Sequence, residues 1–462
     1  MSNYDFMHLY QKRASTFWVD NKQVYYMVDC GLGKTVIVLH ALVKLRKPAL
    51  IIAPLRVVYS VWPQEIEKWK FPMVYSIIHG KKKEEALQKQ ADIYITNYET
   101  IPWLYDNLRA MTKKKQTLPF DVLVVDEGSA IKSPRTKRFK YLEAMKHIFG
   151  YRAILSGTPA PRSLRDLWAQ YYILTDGKTL GDNYHAFKNR YYEAHPFNPY
   201  EVTEKEGAEE DIHNRVVPNT FRLDAEEYLE LPDISYNYIE LELPKALRKQ
   251  YSTYKKEFML TVEDLDYVAL NAATLSNKLR QFLQGFNYYE TGEYKSNGDP
   301  VRSATEFHTV KLKALIGLIE ELNQPLLCTI QFKYELETIR RVYPNAPIIA
   351  GGTKPSDAIK YIEQWNKKEI PLLLCHPLSL AHGVNLQSGG CNVLWYCQPW
   401  SLEQYIQFNK RLHRQGQSKG VVIHHLVIKN SIDEKVAKVL SQKNMTQQKL
   451  LDYLRDVLLI EE

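Results

Sequence analysis

Residues Met27–His40 read MVDCGLGKTVIVLH, two glycines and a Lys-Thr pair set between two apolar runs. The run VYYMV that leads in, Val24–Val28, is β-branched and aromatic, which suits a buried strand. The run that leads out, KTVIVLHALVKL, carries apolar residues at helical spacing. A strand that turns into a helix presents backbone N–H groups at the helix start, where the dipole also favours anions. Gly31 and Gly33 allow backbone geometries closed to other residues and let a ligand approach the main chain. Lys34 is placed to reach the outer phosphates of a nucleotide, and the Thr35 hydroxyl to hold Mg²⁺. The strict pattern G-x-x-x-x-G-K-[ST] is not met, because Val28 stands at its first position. Two readings stay open on this stretch alone: a phosphate loop, or an ordinary strand-turn-helix that contains a lysine.

The remaining chain narrows the choice. Its 462 residues call for two to four domains of ~100–200 residues each. A hydrophobic content of 45% is ample for packed cores, and the net charge of +8 fits a polyanionic partner without requiring one. Basic clusters at Lys81–Lys83, Lys113–Lys115 and Ile131–Lys140 each read, taken singly, as solvated surface. The five cysteines include no C-x-x-C pair, so a zinc site is not expected, and their odd number points to a reducing compartment. Without a signal pattern or a long apolar run, a soluble chain with no membrane contact is expected.

Up to about residue 175 strands and helices alternate. The candidate strands are VYYMV, ALIIAP, VYSIIH, ADIYIT, DVLVVD and RAILSG. From 176 to 305 Tyr, Glu and Lys are frequent and clear strands are few. There, KALRKQYSTYKKEFML and ALNAATLSNKLRQFLQGF read as helices, EEYLELPDISYNYIELELP as an extended crossing segment, and ETGEYKSNGDPVRS as a loop or hairpin. From 306 to 462 alternation resumes through PLLCTIQF, APIIAG, PLLLCHP, NVLWYC and VVIHHLVI, and a helical pattern runs from Ile432 to about Leu459. The expected fold is α/β: two parallel-sheet lobes, 1–175 and 306–462, with a mainly helical insert over 176–305.

Chemistry-bearing residues sit where such sheets bind ligands. DVLVVDEGSAIK puts Asp126 and Glu127 directly after a buried-type strand, at the edge facing the crevice of an open α/β sheet. Asp126 is suited to hold the metal that bridges phosphates, and Glu127 to orient or deprotonate the attacking water. In ILSGTPAPRSLRDLW, Ser156, Gly157 and Thr158 form a tight turn of small residues after another strand. In QFNKRLHRQGQ, Arg411 and Arg414 are three apart on an expected helix and so share a face, a spacing suited to a phosphate reached from a second domain.

In this order the motifs resemble the Swi/Snf-type branch of superfamily 2 helicases, translocases on double-stranded DNA. HLYQ resembles that family's adenine-reading glutamine motif, CGLGKT its phosphate loop, and IIAPLRVVYSVWPQEIEKW its A-P-L…W-x-x-E motif. ITNYE resembles T-x-Y-E, VVDEGSAIKS resembles D-E-A-H-x-x-K-N, and LSGTPAPRSLRDLWAQYYIL resembles T-G-T-P…E-L-W. LSNKLRQF, GVNL and QFNKRLHRQGQ resemble the L-R-Q helix of the family's insert, G-x-N-L and Q-A-x-D-R-x-H-R-x-G-Q. The compact length looks most like stand-alone versions encoded by bacteriophages. Three departures stand out: Gly128 and Ser129 replace Ala-His, HPLSLAHGVNL lacks an S-T-x-A-G-G run, and Val28 replaces an acidic residue.

The resemblance implies two RecA-like lobes and a DNA-dependent ATPase that uses ATP and Mg²⁺. Gln11 would read adenine. Gly31, Gly33, Lys34 and Thr35 would bind phosphate, Thr35 and Asp126 would hold the metal, and Glu127 would activate water. Arg411 and Arg414 would complete the site from the second lobe. Thr96, Asn97, Gln331 and Asn385 are weaker candidates for backbone contacts to double-stranded DNA, and Trp400 is either on the same track or in the core. The chain is expected to act as a monomer in the cytoplasm, that of a bacterial host if phage-encoded. Two rival functions are a strand-separating or fork-annealing helicase and a nucleotide-gated DNA-binding subunit.

Overall fold

In a computed structural model of the chain, described over residues 6–29, 31–157, 164–195, 198–228, 230–260, 277–294, 300–380 and 384–440, two compact units divide at Glu230/Leu231. The first lobe is built on a seven-stranded sheet. Its strands are β1 (Gln23–Val28), β2 (Ala49–Ala53), β3 (Tyr75–Ile78), β4 (Ile93–Asn97), β5 (Val122–Asp126) and β6 (Tyr151–Ser156), all expected from the sequence. A separate hairpin pairs β7 (Tyr192–His195) with β8 (Asn198–Glu204), and β9 (Thr220–Leu223) returns to the edge of the sheet. The order is β3-β4-β2-β5-β6-β1-β9, and every pair is parallel.

β2, β4 and β5 are buried at every position. A parallel strand covered by helices on both faces reads as a continuous apolar run, which is why ALIIA and VLVVD are legible without alternation. Helices α1 (Leu9–Asn21), α2 (Lys34–Leu45) and α3 (Leu55–Trp69) supply part of the cover, and Trp18 of α1 and Trp62 of α3 are fully buried.

The second lobe begins with β10 (Ile234–Leu241), the segment expected only to cross between lobes. It pairs in parallel with β17 (Val421–Ile428) over its whole length. A hairpin of β11 (Phe286–Tyr294) and β12 (Pro300–Glu306) follows. Strands β13 (Leu326–Thr329), β14 (Ile348–Ile349), β15 (Leu372–Cys375) and β16 (Asn392–Trp395) complete a parallel sheet of order β10-β17-β16-β13-β15-β14. On β13, β15 and β16 its faces separate by residue parity. Leu327, Leu373, Val393 and Ile423 join the core on one face, and Leu326, Cys328, Leu372, Leu374, Leu394 and Leu426 that on the other.

The segment 176–305 is therefore divided between the lobes, with strands at both ends. Its 176–230 part closes the first sheet through β9, and β10 opens the second. The helix Lys245–Leu260 and the residues around Leu279, Phe282 and Leu283 bear on the second core. The sequence signal failed there for a physical reason: β9 is four residues long and no residue of β10 is buried, so neither carries a buried run. Residues 269–276 of the expected helix ALNAATLSNKLRQFLQGF and the end of the helical pattern after Leu440 lie outside the described residues.

Candidate active site at the carboxyl edge of the first sheet

The phosphate-loop stretch follows β1 directly. Gly31 and Gly33 have φ of 96° and 81°, values that favour glycine, and Gly33 is the N-cap of α2. Gln11 packs against this turn. Its amide donates to Leu32 O at 3.1 Å, its carbonyl oxygen accepts from His8 N at 3.0 Å, and it is 4% exposed. A Cβ on Gly33 would lie 2.5 Å from Gln11 Nε2. The glycine thus serves both the left-handed turn and the close seat of the glutamine. Lys34 Nζ donates to Val28 O at 2.8 Å, so the end of β1 holds the lysine beside the loop. Thr35 follows within the first turn of α2.

Asp126 ends β5 and is nearly buried; Trp62 Nε1 donates to its Oδ2 at 3.1 Å. Glu127 has φ 60° and ψ 67°, a left-handed conformation that costs a non-glycine residue about 1–2 kcal/mol. The surrounding packing over-determines that turn. Tyr98 Oη donates to Asp126 O at 2.6 Å and lies 3.3 Å from Glu127 O. On the opposite side, a Cβ on Gly128 would fall 2.5 Å from Ile154 Cγ2, 2.7 Å from Gln170 Oε1 and 3.1 Å from Tyr25 Oη. The glycine in place of the family's alanine is a steric requirement of this interior. Tyr25 Oη donates to Gln170 Oε1, and the Ser156 hydroxyl bonds Tyr25 in turn. Burial first, and the carboxylates of Asp126 and Glu127 after it, push the Tyr98 phenol well above its usual range. Burial, then Tyr171 and Glu127, do the same for Tyr25. Both phenols are neutral donors under any working condition. Thr158, third residue of the small turn, lies outside the described residues.

Gln11, Gly31, Gly33, Lys34, Thr35, Asp126 and Glu127 thus all come from loops or element ends at the carboxyl edge of one sheet, where open α/β sheets bind ligands. A helix N-terminus preceded by left-handed glycines and flanked by an acidic pair fits a phosphate chain with Mg²⁺. Trp62, Tyr98, Tyr25 and Gln170 were not singled out from sequence. Their signal was present in part, since Trp62 and Tyr98 stand inside the SVWPQE and ITNYE stretches.

In the second lobe Arg411 and Arg414 do not lie on a helix. The helix Leu402–Asn409 ends first, where Asn409 turns inward to accept from Trp395 Nε1 at 2.9 Å. The turns that follow bring both guanidinium groups to one acceptor, Val384 O, at 3.5 and 3.4 Å. The pair converges, but through turn geometry rather than a shared helical face. Two of the four DNA-contact candidates are internal. Thr96 is fully buried and donates to Ile78 O at 2.8 Å, and Asn97, 3% exposed, bonds Glu99 and Thr100. Asn385 is exposed and Gln331 half-buried. Trp400 packs against the second core, with the Arg280 guanidinium 5.3 Å from its ring.

Residues 10–290 match the SNF2-related domain family. Over 96% of its length the chain is 32% identical to protein p41 of Acyrthosiphon pisum secondary endosymbiont phage 1, covering 98% of that protein. The chain belongs to the SNF2-related family. It is a DNA-dependent ATPase of the helicase and translocase class. It is also 24% identical to the fission-yeast chromatin structure-remodeling complex subunit snf21 and 22% identical to the Bacillus subtilis ATP-dependent helicase/translocase YwqA. It spans 36% and 46% of the lengths of those two relatives. Among solved structures it is similar to the Sulfolobus solfataricus SWI2/SNF2 ATPase core in complex with dsDNA, at 20% identity and a TM-score of 0.43, over 98% of this chain and 95% of that one. Among the described residues no helix is long and apolar enough to cross a membrane.

Proposed function

We propose that the chain hydrolyses ATP to translocate along double-stranded DNA without separating its strands, remodelling the DNA or displacing proteins bound to it. The observation that carries this reading is the single sheet edge that gathers Gln11, the Gly31–Thr35 loop, Asp126 and Glu127. Gln11 reads adenine from its seat behind the loop. The first N–H groups of α2 and Lys34 bind the phosphates. Thr35 and Asp126 would hold Mg²⁺, which would supply neutralisation of phosphate charge. Glu127, fixed by its strained turn, orients water and takes its proton as the new P–O bond to the γ-phosphorus forms and the bond to the β-phosphate oxygen breaks, with ADP as the leaving group. Arg411 and Arg414 meet the charge that develops in the transition state. Gln331 and Asn385 contact the DNA backbone, and sequence-independent contacts of this kind weaken steeply as salt rises. The chain acts as a monomer in the cytoplasm, that of a bacterial host if it is phage-encoded.

One feature favours a strand-separating helicase instead. The β11–β12 hairpin carries exposed Tyr289 and Tyr294, side chains able to stack on an opened base pair. Triplex displacement and fork unwinding, run side by side with ATP, decide between the two. A duplex translocase displaces the third strand and releases little from the fork. Efficient fork unwinding with no triplex displacement would reject translocation in favour of the hairpin reading.

A further inference from the structure

A continuous path of contacts joins the protein surface to the turn that carries Glu127. It begins in the basic stretch Ile131–Lys140, where Arg135, Lys137, Arg138 and Lys140 are exposed. Arg138 lies in the first turn of the helix Lys137–Met145. Its Nη2 donates to Glu99 Oε1 at 2.7 Å, and its guanidinium sits 5.2 Å from the centre of the Tyr98 ring. The Tyr98 hydroxyl, at the far end of that ring, holds the backbone oxygens of Asp126 and Glu127. Glu99 is tied on its other oxygen to Asn97 Nδ2 at 2.8 Å.

The two ends of this path differ in kind. Tyr98 is 4% exposed and cannot shift without moving the Asp126–Glu127 backbone. The Arg138–Glu99 pair is open to water, with side chains 44% and 62% exposed. An exposed ion pair is a weak bond, screened by salt. A DNA phosphate is a strong competitor, because it offers the guanidinium two oxygens at once and a fixed charge. Arg138 can therefore exchange Glu99 for a phosphate, leaving its place beside the Tyr98 ring as it does so.

We propose that Arg138 senses a DNA backbone phosphate and, through the Tyr98 ring and hydroxyl, positions Glu127 for hydrolysis. Tyr98 is a positioning residue in this scheme, and Arg138 is the DNA contact of the first lobe in place of buried Thr96 and Asn97. The inference rests on the DNA-motor reading and adds to it the route by which DNA stimulates turnover.

The test is steady-state ATPase of the full chain with and without a blunt mixed-sequence duplex, for wild type and four variants, each with KM for ATP. Arg138→Ala and Tyr98→Phe should lower the ratio of DNA-stimulated to DNA-free turnover by at least about fivefold, the lower end of typical coupling between sites. KM for ATP should move by less than about twofold, because the ground-state phosphate contacts are untouched. Arg138→Lys should recover part of the ratio, since the charge remains but the planar fork is lost. Glu99→Gln should reach half-maximal stimulation at lower DNA concentration, its hold on Arg138 being weaker. A stimulated wild type with an equally stimulated Arg138→Ala overturns this inference alone. So does a Tyr98→Phe that lowers both rates by one factor, which marks a structural role. A wild type that no nucleic acid stimulates removes the DNA-motor reading itself, and the inference with it.

Discussion

On the first sheet the charged residues Lys34, Asp126 and Glu127 stand at the carboxyl edge. The buried phenols Tyr25, Tyr26, Tyr98 and Tyr171 lie among uncharged groups such as Thr96 and Gln170, and the one buried cation among the described residues there, Arg152 on β6, pairs with Asp176, which is open to water. On the second sheet charge lies inside. Lys311 and Asp433 form an ion pair at 2.6 Å with side chains 0% and 2% exposed, Glu335 is buried under the start of the helix Lys333–Arg340, and His424 and His425 are buried on β17. A phenol can be buried at the cost of one hydrogen bond and titrates far from neutral pH. A buried ion pair or imidazole ties stability to its partner and to pH. The interior of the first lobe therefore holds mainly phenols and uncharged groups, whereas the stability of the second is tied more closely to its protonation state.

That contrast breaks most visibly in activity. Lys34→Ala should abolish ATP-dependent turnover, and Glu127→Gln should retain ATP binding while stopping hydrolysis, since the proposed role of Glu127 is on water and not on ground-state phosphate. An ATPase rate for Glu127→Gln within threefold of wild type would remove the assignment. Arg411→Ala or Arg414→Ala should reduce turnover far more than ATP affinity. The loss should be smaller than the roughly 10³–10⁵ carried by single arginine fingers, since two groups converge on Val384 O and share the work. Weakened ATP binding with normal turnover at saturation would contradict that role.

Stability tests sharpen the same comparison. Lys311→Met leaves Asp433 buried without its cation and should cost about 3–5 kcal/mol in chemical denaturation. No edge residue of the first sheet should approach that loss on truncation. Gly128→Ala forces a methyl against Ile154 and Gln170 and should cost about 1–3 kcal/mol. Gly352→Ala in the second lobe, where a Cβ would meet nothing within 4 Å, is the control and should stay within about 0.5 kcal/mol. Equal effects at the two glycines would mean that the turn at Glu127 can relax.

A further expected effect is on the pH dependence of stability. Burial lowers His308 and His424 to about 4 and His425 to about 3, from an unfolded value of 6.5. Their contribution is complete above 6.5 and is lost as pH falls toward those values, because only the unfolded chain takes up protons in that window. Glu335, raised to about 7 chiefly by burial, works in the opposite direction: its contribution is complete below 4.5 and is lost as pH rises through 7. Three histidines outweigh one carboxyl between 4.5 and 6.5. The net loss from pH 7 to pH 5 should be on the order of 1–3 kcal/mol, a fall in Tm of roughly 3–10 °C. Thermal melts of wild type and His425→Gln test this, and an unchanged pH slope in the variant would exclude the histidine origin.

The sequence by itself determined strands β1–β6, the order of the motifs and the set of residues that meet at the carboxyl edge of the first sheet. Strands buried on both faces are written as uninterrupted apolar runs, and glycines at a strand-to-helix turn are demanded by local backbone geometry, so both can be read from adjacent residues. Tertiary structure decided the rest. β9 and β10 are short or exposed and become strands only because β1 and β17 offer open edges. Arg411 and Arg414 converge through turns beyond a helix that ends when Asn409 finds Trp395. Thr96 and Asn97 turn inward, while the glycine at 128 answers to Tyr25, Ile154 and Gln170, distant in the chain and adjacent in space. These outcomes depend on contacts between residues far apart in sequence, and no local pattern encodes such contacts.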